Sequence, residues 1–344
     1  MEFRQLGQTD INVSSLCLGT MAWGEQNTEQ DAFQQLECAI DYGINFIDTA
    51  EMYPVPAREE TYTATETILG NWLKKRGHHD DLVIATKVCG PGFDYMNGGR
   101  LMTPQHIHHA VEGSLKRLGV DCIDLFQLHW PDRNTNFFGR LGYSLQPGLD
   151  GTPVEITLEA LNDLVQAGKI RHYGLSNETP WGAMKHLSTS REKQQTRPVS
   201  IQNPYSLLNR SFEVGLAEIS HREQLGLLAY SPLAFGTLSG KYLNDQKPAN
   251  SRLALFEQYQ RYTSSPQSLL ATEAYVNLAK ESGLDPAQMA LAFVTSRFFV
   301  SSAIIGATNL EQLNSNLRSS ELTLSNDVLE AIEEIHLQYP NPAP

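Results

Sequence analysis

Short apolar runs alternate along the chain with longer stretches whose apolar positions recur at helical spacing. SLCLGTMAWG (15–24) reads as a strand. DAFQQLECAIDYG (31–43) then sets Phe33, Leu36, Cys38, Ala39 and Ile40 largely on one side of a helix that Gly43 can cap. NFIDTA, LVIATKV (82–88) and CIDLFQLHW (122–130) are the next strands. Between them lie two helices. TETILGNWLKKRG (65–77) has a basic last turn and a terminal glycine, and TPQHIHHAVEGSLKRLG (103–119) opens with Thr103 as N-cap and Pro104 at the first helical position. Further on, TLEALNDLVQAGKI is helical, RHYGLSN is a strand, and Trp181 to about Ser190 is helical. VSIQNPYS is a strand, and a short helical segment precedes GLLAYSPL. Two helical patterns fill about 268–297, AIIGA is the eighth short run, and NLEQLNSNL is the last helix.

Eight strand–helix repeats, apolar on both strand faces, predict a parallel sheet covered by helices and closed as a (β/α)₈ TIM barrel. An open dinucleotide fold is disfavoured, because no Gly-x-Gly-x-x-Gly follows the first strand; GPGFDYM (90–96) has the first two glycines only. The whole chain, 1–344, is expected to be one barrel domain. Segments 51–64, 91–102, 131–153 and 242–267 are long for simple barrel connections and are expected to lie over the C-terminal face of the strands, where substrates bind. Phe137, Phe138 and Tyr143 in the third either line a pocket or pack the loop down.

Composition narrows the function. The 26 Lys+Arg against 39 Asp+Glu give a net charge of −13, a poor field for nucleic acid. MEFRQLGQTDINV lacks a signal-peptide pattern, and no apolar run approaches the ~18 residues of a membrane span. Cys17, Cys38, Cys89 and Cys122 form no Cys-x-x-Cys pair and read as buried apolar residues in a reducing compartment, so the expected location is cytoplasmic. No Cys/His spacing suggests zinc. His106, His108 and His109, with His78 and His79, read as a solvated face.

The candidate chemistry gathers at one rim. Asp48 ends the second strand, Tyr53 follows it, Lys87 sits near the end of the third and His129 near the end of the fourth. Neighbouring strands lie about 4.8 Å apart, so these side chains can converge. A phenol with pKa about 10 transfers protons poorly at neutral pH. An ammonium about 4 Å away favours the phenolate by at most ~4 kcal/mol before desolvation is subtracted. Lys87 can thus tune Tyr53, Asp48 can hold Lys87, and His129 can bond a substrate oxygen or relay the proton. Each residue also has a plainer reading: Asp48 as a turn cap, Asp48–Lys87 as a structural ion pair, His129 as a core histidine, Tyr53 as loop cover. A Schiff-base role for Lys87 is weaker, since a lysine paired with a carboxylate stays charged.

These residues sit in motifs that resemble the aldo-keto reductases over roughly 1–335: LCLGTMAWGE, FIDTAEMY, TKV, LHW, GLSN (174–177), IQNPYSLLNR (201–210), AYSPLAFGTLSGKY (229–242) and IIGATNLEQLNSN (304–316). The resemblance implies an NADP(H)-dependent reductase of small-molecule carbonyl compounds on a (β/α)₈ barrel. Asp48, Tyr53, Lys87 and His129 would form its catalytic tetrad, with Tyr53 as proton donor. It further implies that Ser176, Asn177 and Gln202 hold the nicotinamide carboxamide, that Tyr230 stacks on its ring, and that Thr20 and Met21 lie against the cofactor. Ser231, Pro232, Leu233, Ala234, Gly236 and Lys241 would serve the pyrophosphate. Gly306, Thr308, Gln312, Asn316 and Arg252 would serve the adenosine half. SPLAFGTLSGK is also a near miss for a Walker A loop, one residue short between Gly236 and Gly240 and with Tyr242 after Lys241. Ala307, Thr308 and Ser315 stand where many relatives carry charged residues, which leaves Arg252 to read a 2′-phosphate. The runner-up is a dinucleotide-binding regulatory or interaction subunit. Channel-associated family members often replace the tetrad histidine, and this chain keeps His129.

Overall fold

The computed structural model describes residues 1–93, 95, 101–148 and 150–344. Parts of two predicted loops, 94 and 96–100 within 91–102 and Leu149 within 131–153, lie outside the described residues. An antiparallel hairpin, β1 (Phe3–Gln5) and β2 (Asn12–Ser14), comes first. Eight parallel strands then close a barrel: β3 (Leu16–Gly19), β4 (Phe46–Asp48), β5 (Val83–Val88), β6 (Ile123–Leu128), β7 (Ile170–Ser176), β8 (Pro198–Pro204), β9 (Gly226–Tyr230) and β10 (Val300–Ile305). Strand β10 pairs with both β9 and β3 to complete the ring. The predicted (β/α)₈ class is the observed one.

The helices start and stop where local chemistry directs. Helix α1 (Glu29–Asp41) opens on a capping box in which Thr28 and Asp31 satisfy each other's backbone amides. Helix α2 (Ala64–Arg76) ends at Gly77 with a positive φ, and α3 (Pro104–Leu118) has Thr103 as N-cap and Gly119 as its left-handed stop. Helices α4 (Val154–Gln166), α5 (Pro180–Lys193) and α6 (Leu216–Glu223) follow β6, β7 and β8. The excursion after β9 holds the short α7 (Arg252–Leu255) before α8 (Pro266–Glu281) and α9 (Pro286–Thr295), and α10 (Leu310–Arg318) follows β10.

Several expectations need correction. The first strand covers only Leu16–Gly19 of the predicted 15–24, because Thr20 turns the chain: its N–H and hydroxyl both donate to the Asp48 carbonyl. NLEQLNSNL is not the last helix; α11 (Asn326–Gln338) follows, started by Ser325. The N-terminal hairpin was not anticipated. Cys17 and Cys89 are buried, whereas Cys38 and Cys122 are only partly so. His106 is buried rather than solvated, with Nε2 3.2 Å from the Cys89 carbonyl.

The hairpin explains where the site lies. Leu6, Ile11 and Val13 pack with Cys17, Phe46, Val83, Leu125, Val199 and Leu228 in one cluster at the N-terminal end of the barrel. Gly7, at φ +58°, turns the hairpin so close to β8 that a Cβ there would meet the Val199 carbonyl at 2.4 Å. One end of the barrel is therefore plugged by apolar side chains. The outward strand residues, among them Ile47, Ile84 and Phe126, join the larger core beneath the helices.

Candidate active site

Period-two alternation carries the chemistry inward. Phe46 then Asp48 on β4, Val83, Ala85 then Lys87 on β5, and Leu125, Gln127 then His129 on and just after β6 step from the plugged end to the open one. Register sets Lys87 opposite Gln127, and Ser176 opposite Gln202. Lys87 is wholly buried, and its Nζ donates to Asp48 Oδ2 at 2.6 Å and to the Thr49 carbonyl at 2.8 Å. An ion pair so deep is costly unless its remaining valences are met. They are: Asp48 Oδ1 accepts from Gln127 Nε2 and from Gln202 Nε2, each at 2.9 Å.

Tyr53 lies in the loop after β4. Its ring centroid is 4.9 Å from Lys87 Nζ and 5.8 Å from the His129 ring, which it meets edge-on. Burial raises the Tyr53 pKa above its ordinary value, and the Lys87 ammonium opposes that rise without cancelling it. Desolvation thus outweighs the expected tuning, and the phenol stays protonated. Burial pulls Lys87 down, yet Asp48 and Tyr53 prevail and hold it raised and charged. His129 is held well below its usual range by burial and by the Lys87 charge, so it is neutral. Its buried Nδ1 has no partner among the described residues. Placing the single ring proton on Nε2 avoids stranding an N–H there, and the ring lines the cleft.

The cleft above these residues has a volume of about 1580 Å³. Asp48, Tyr53 and His129 reach it, whereas Lys87 lies beneath its floor. Most residues expected at the cofactor line it: Thr20, Met21, Asn177, Gln202, Tyr230, Ser231, Pro232, Leu233, Gly236, Lys241, Arg252, Gly306, Thr308, Gln312 and Asn316. Ser176 and Ala234 do not, being turned into the protein. Of the loop aromatics, Phe137 and Phe138 line the cleft beside Trp130, which meets Phe138 edge-on at 5.6 Å; Tyr143 stands away from it, exposed.

The polar side chains at the floor are largely committed to one another. Asn177, in the left-handed region, gives its two amide hydrogens to the His129 carbonyl (2.8 Å) and Ser176 Oγ (3.2 Å), and accepts from the Tyr230 hydroxyl at 2.6 Å. Ser176 Oγ donates to the Gln202 carbonyl. Gln202 spends both Nε2 hydrogens on Asp48 Oδ1 and on Gln127 Oε1, each at 2.9 Å. What remains toward the cleft is acceptor capacity: Gln202 Oε1 and a lone pair of Asn177 Oδ1.

The far end of the cleft is cationic. Gly236, at φ +87°, folds the turn so tightly that a Cβ there would lie 2.7 Å from Lys241 Nζ. Arg252 stacks its guanidinium 4.7 Å over Phe235. Neither cation forms an ion pair among the described residues. At the α10 start, Asn309 caps the Gln312 amide, and Gln312 Oε1 takes both the N–H and the hydroxyl of Thr308. Thr308 and Gln312, both expected to serve the adenosine half, are thus bonded to each other.

Sequence reasoning missed three polar contributors. Gln127 was legible: it lies two residues before His129 in a strand and must share its face. Glu51, its carboxyl raised chiefly by burial, accepts from the Cys89 N–H at 2.7 Å and ties the Tyr53 loop to β5. Arg133 grips Glu178 with both terminal guanidinium nitrogens and bonds Thr179, which anchors the 131–153 loop to α5. Nothing local announces either partner pair. Among the described residues, no group of three or more His, Cys, Asp or Glu is placed to hold a metal ion, and no helix is long and apolar enough to cross a membrane.

A closed parallel barrel with a charged, hydrogen-bonded cluster at the C-terminal ends of its strands defines a class of (β/α)₈ proteins that work at that face. The chain belongs to the Aldo/keto reductase family, whose model matches residues 15–337, and it is accordingly an oxidoreductase by family. It is 51% identical over 347 residues to Protein tas of Escherichia coli, covering all of both chains. It is 33% identical over 348 residues to the uncharacterized oxidoreductase YrpG of Bacillus subtilis, covering 99% of this chain and 97% of that one. It is 30% identical over 351 residues to a probable voltage-gated potassium channel subunit beta of Arabidopsis thaliana, with 97% and 96% covered.

Proposed function

We propose that the chain, working as one barrel unit, is an NADP(H)-dependent reductase that converts an aldehyde or ketone to an alcohol. The observation that carries this reading is the convergence of Asp48, Tyr53, Lys87 and His129, with a protonated phenol and a neutral imidazole facing the cleft. The remaining donors and acceptors fit a nicotinamide dinucleotide. Gln202 Oε1 and the remaining lone pair of Asn177 Oδ1 can receive a carboxamide NH₂, and Tyr230 lines the cleft beside them. Lys241 and Arg252, without an ion pair among the described residues, supply charge for phosphate groups.

When bound, the dinucleotide supplies the hydride. Tyr53 gives its hydroxyl proton to the substrate oxygen as negative charge builds there, and the Lys87 ammonium steadies the resulting phenolate. His129 donates Nε2–H to the same oxygen. Asp48 keeps Lys87 charged and fixed. Phe137, Phe138 and Trp130 form an apolar wall that sheds water from the reacting atoms.

The test is a panel of aldehydes and ketones with NADPH consumption followed, beside an intact-mass search for co-purified nucleotide. Reduction by the wild type that Tyr53→Phe abolishes is the expected result. Bound nucleotide with no consumption on any carbonyl would instead support a dinucleotide-binding regulatory or interaction subunit, a reading that draws on the likeness to the plant protein named as a channel subunit.

A further inference from the structure

Gln127 is entirely buried and does not line the cleft, yet it bonds to both halves of the site. Its Nε2 donates to Asp48 Oδ1 and its Oε1 accepts from Gln202 Nε2, each at 2.9 Å. Its orientation is dictated by chemistry. Turned over, Oε1 would face the Asp48 carboxylate, acceptor against acceptor. The same holds for Gln202, whose Nε2 faces two acceptors and whose Oε1 is thereby left toward the cleft.

We propose that Gln127 is a positioning residue that locks Gln202 with its acceptor toward the dinucleotide amide while it holds the second oxygen of Asp48, so that one buried amide aligns the hydride-presenting and proton-donating parts of the site. The inference rests on the reductase reading. A Met here keeps the volume and removes both bonds, leaving the Gln202 amide held by its Asp48 bond alone and so less firmly aimed at a carboxamide NH₂. Asp48 Oδ1 then loses one of two donors, and the ion pair loses part of its orientation.

The test uses Gln127→Met and Gln127→Glu in the full-length protein. The introduced carboxyl of Gln127→Glu reproduces the bonding only while protonated, with O–H toward Asp48 and C=O toward Gln202. Single-turnover hydride transfer by Gln127→Met is expected to fall about 10-fold or more at every pH, and its dinucleotide affinity about 3-fold or more. Gln127→Glu is expected to approach wild-type rates at low pH and to lose them as pH rises through a range in which wild-type Tyr53 stays protonated and the wild-type rate holds. A merely structural role for Gln127 gives no such crossover. Gln127→Met within twofold of wild type in both rate and affinity, or Gln127→Glu tracking Gln127→Met at every pH, overturns the inference. A wild type that binds dinucleotide but reduces no carbonyl defeats the reductase reading alone; the affinity of Gln127→Met then decides this inference. A wild type that binds no dinucleotide overturns both.

Discussion

Lys87→Met keeps the stem of the side chain and deletes its charge. With Nζ 4.9 Å from the Tyr53 ring centroid, that charge favours phenolate over phenol by ~3 kcal/mol at an effective dielectric of about 20, or roughly two pKa units. Burial already holds Tyr53 above its ordinary value, so the substitution drives it higher still. With proton transfer about half developed in the transition state, reduction should slow by ~10-fold in single turnover. In the reverse direction, alcohol oxidation needs the phenolate, so the rising limb of its pH profile should move up by roughly two units. Stability complicates the measurement. The Asp48 carboxylate would remain buried without its cation, at a cost of ~3–5 kcal/mol. The double variant Lys87→Met, Asp48→Asn removes both charges and should recover much of that stability, with a smaller upward displacement of the pH profile because the Asp48 charge itself raises Tyr53. An oxidation profile unchanged from wild type in a folded Lys87→Met protein would refute the electrostatic argument and leave Lys87 a structural group.

Tyr53→Phe should remove most reduction while leaving NADPH binding nearly intact, because it deletes one hydroxyl and little contact area. More than about a tenth of the wild-type kcat, with chemistry limiting, would locate the proton donor elsewhere. NADPH should bind more tightly than NADH, and Arg252→Leu should weaken NADPH by ~10- to 150-fold, the worth of a charge-assisted bond of about 1.5–3 kcal/mol, with a much smaller loss for NADH. Equal losses for both in calorimetric titration would mean that Arg252 stacks without reading the phosphate. Burial holds His129 well below the usual histidine range and His186 down to about 3, with Lys87 and Arg133 adding to the respective effects. Their folded pKa values are depressed, so their neutral burial is fully tolerated above the unfolded pKa of about 6.5, and stability falls as pH drops below it by up to ~1.4 kcal/mol per unit for each histidine. Urea midpoints between neutral pH and mild acid should therefore fall less steeply in His186→Gln than in wild type, and parallel curves would contradict the assignment.

The barrel and its rim were legible because two periodicities coincide in this chain. Helical spacing gave the covering elements, and the polar residues that interrupt strand ends, Asp48, Lys87 and His129, stood out against apolar neighbours. The same logic extended one step would have found Gln127. The N-terminal hairpin escaped because its strands have three residues each and its apolar members, Leu6, Ile11 and Val13, show no sustained period. The direction of the Tyr53 shift escaped for another reason. Sequence gives the sign of a neighbouring charge, but desolvation depends on how completely remote segments close over the group. Likewise, that Gln312 occupies Thr308 depends on the rotamers at the α10 start, which spacing alone does not fix.

The apolar plug at the closed end also acts as electrical insulation. Phe46, Val83 and Leu125 lie one inward step below Asp48, Ala85 and Gln127, so the Lys87–Asp48 pair feels a low-permittivity floor as well as its own partners. Water admitted from below would screen the lysine's influence on Tyr53 without touching any residue of the tetrad. Substitutions such as Leu6→Ala or Val13→Ala, on the far side of the barrel from the cleft, should therefore alter the acid–base behaviour of the site as well as its melting point.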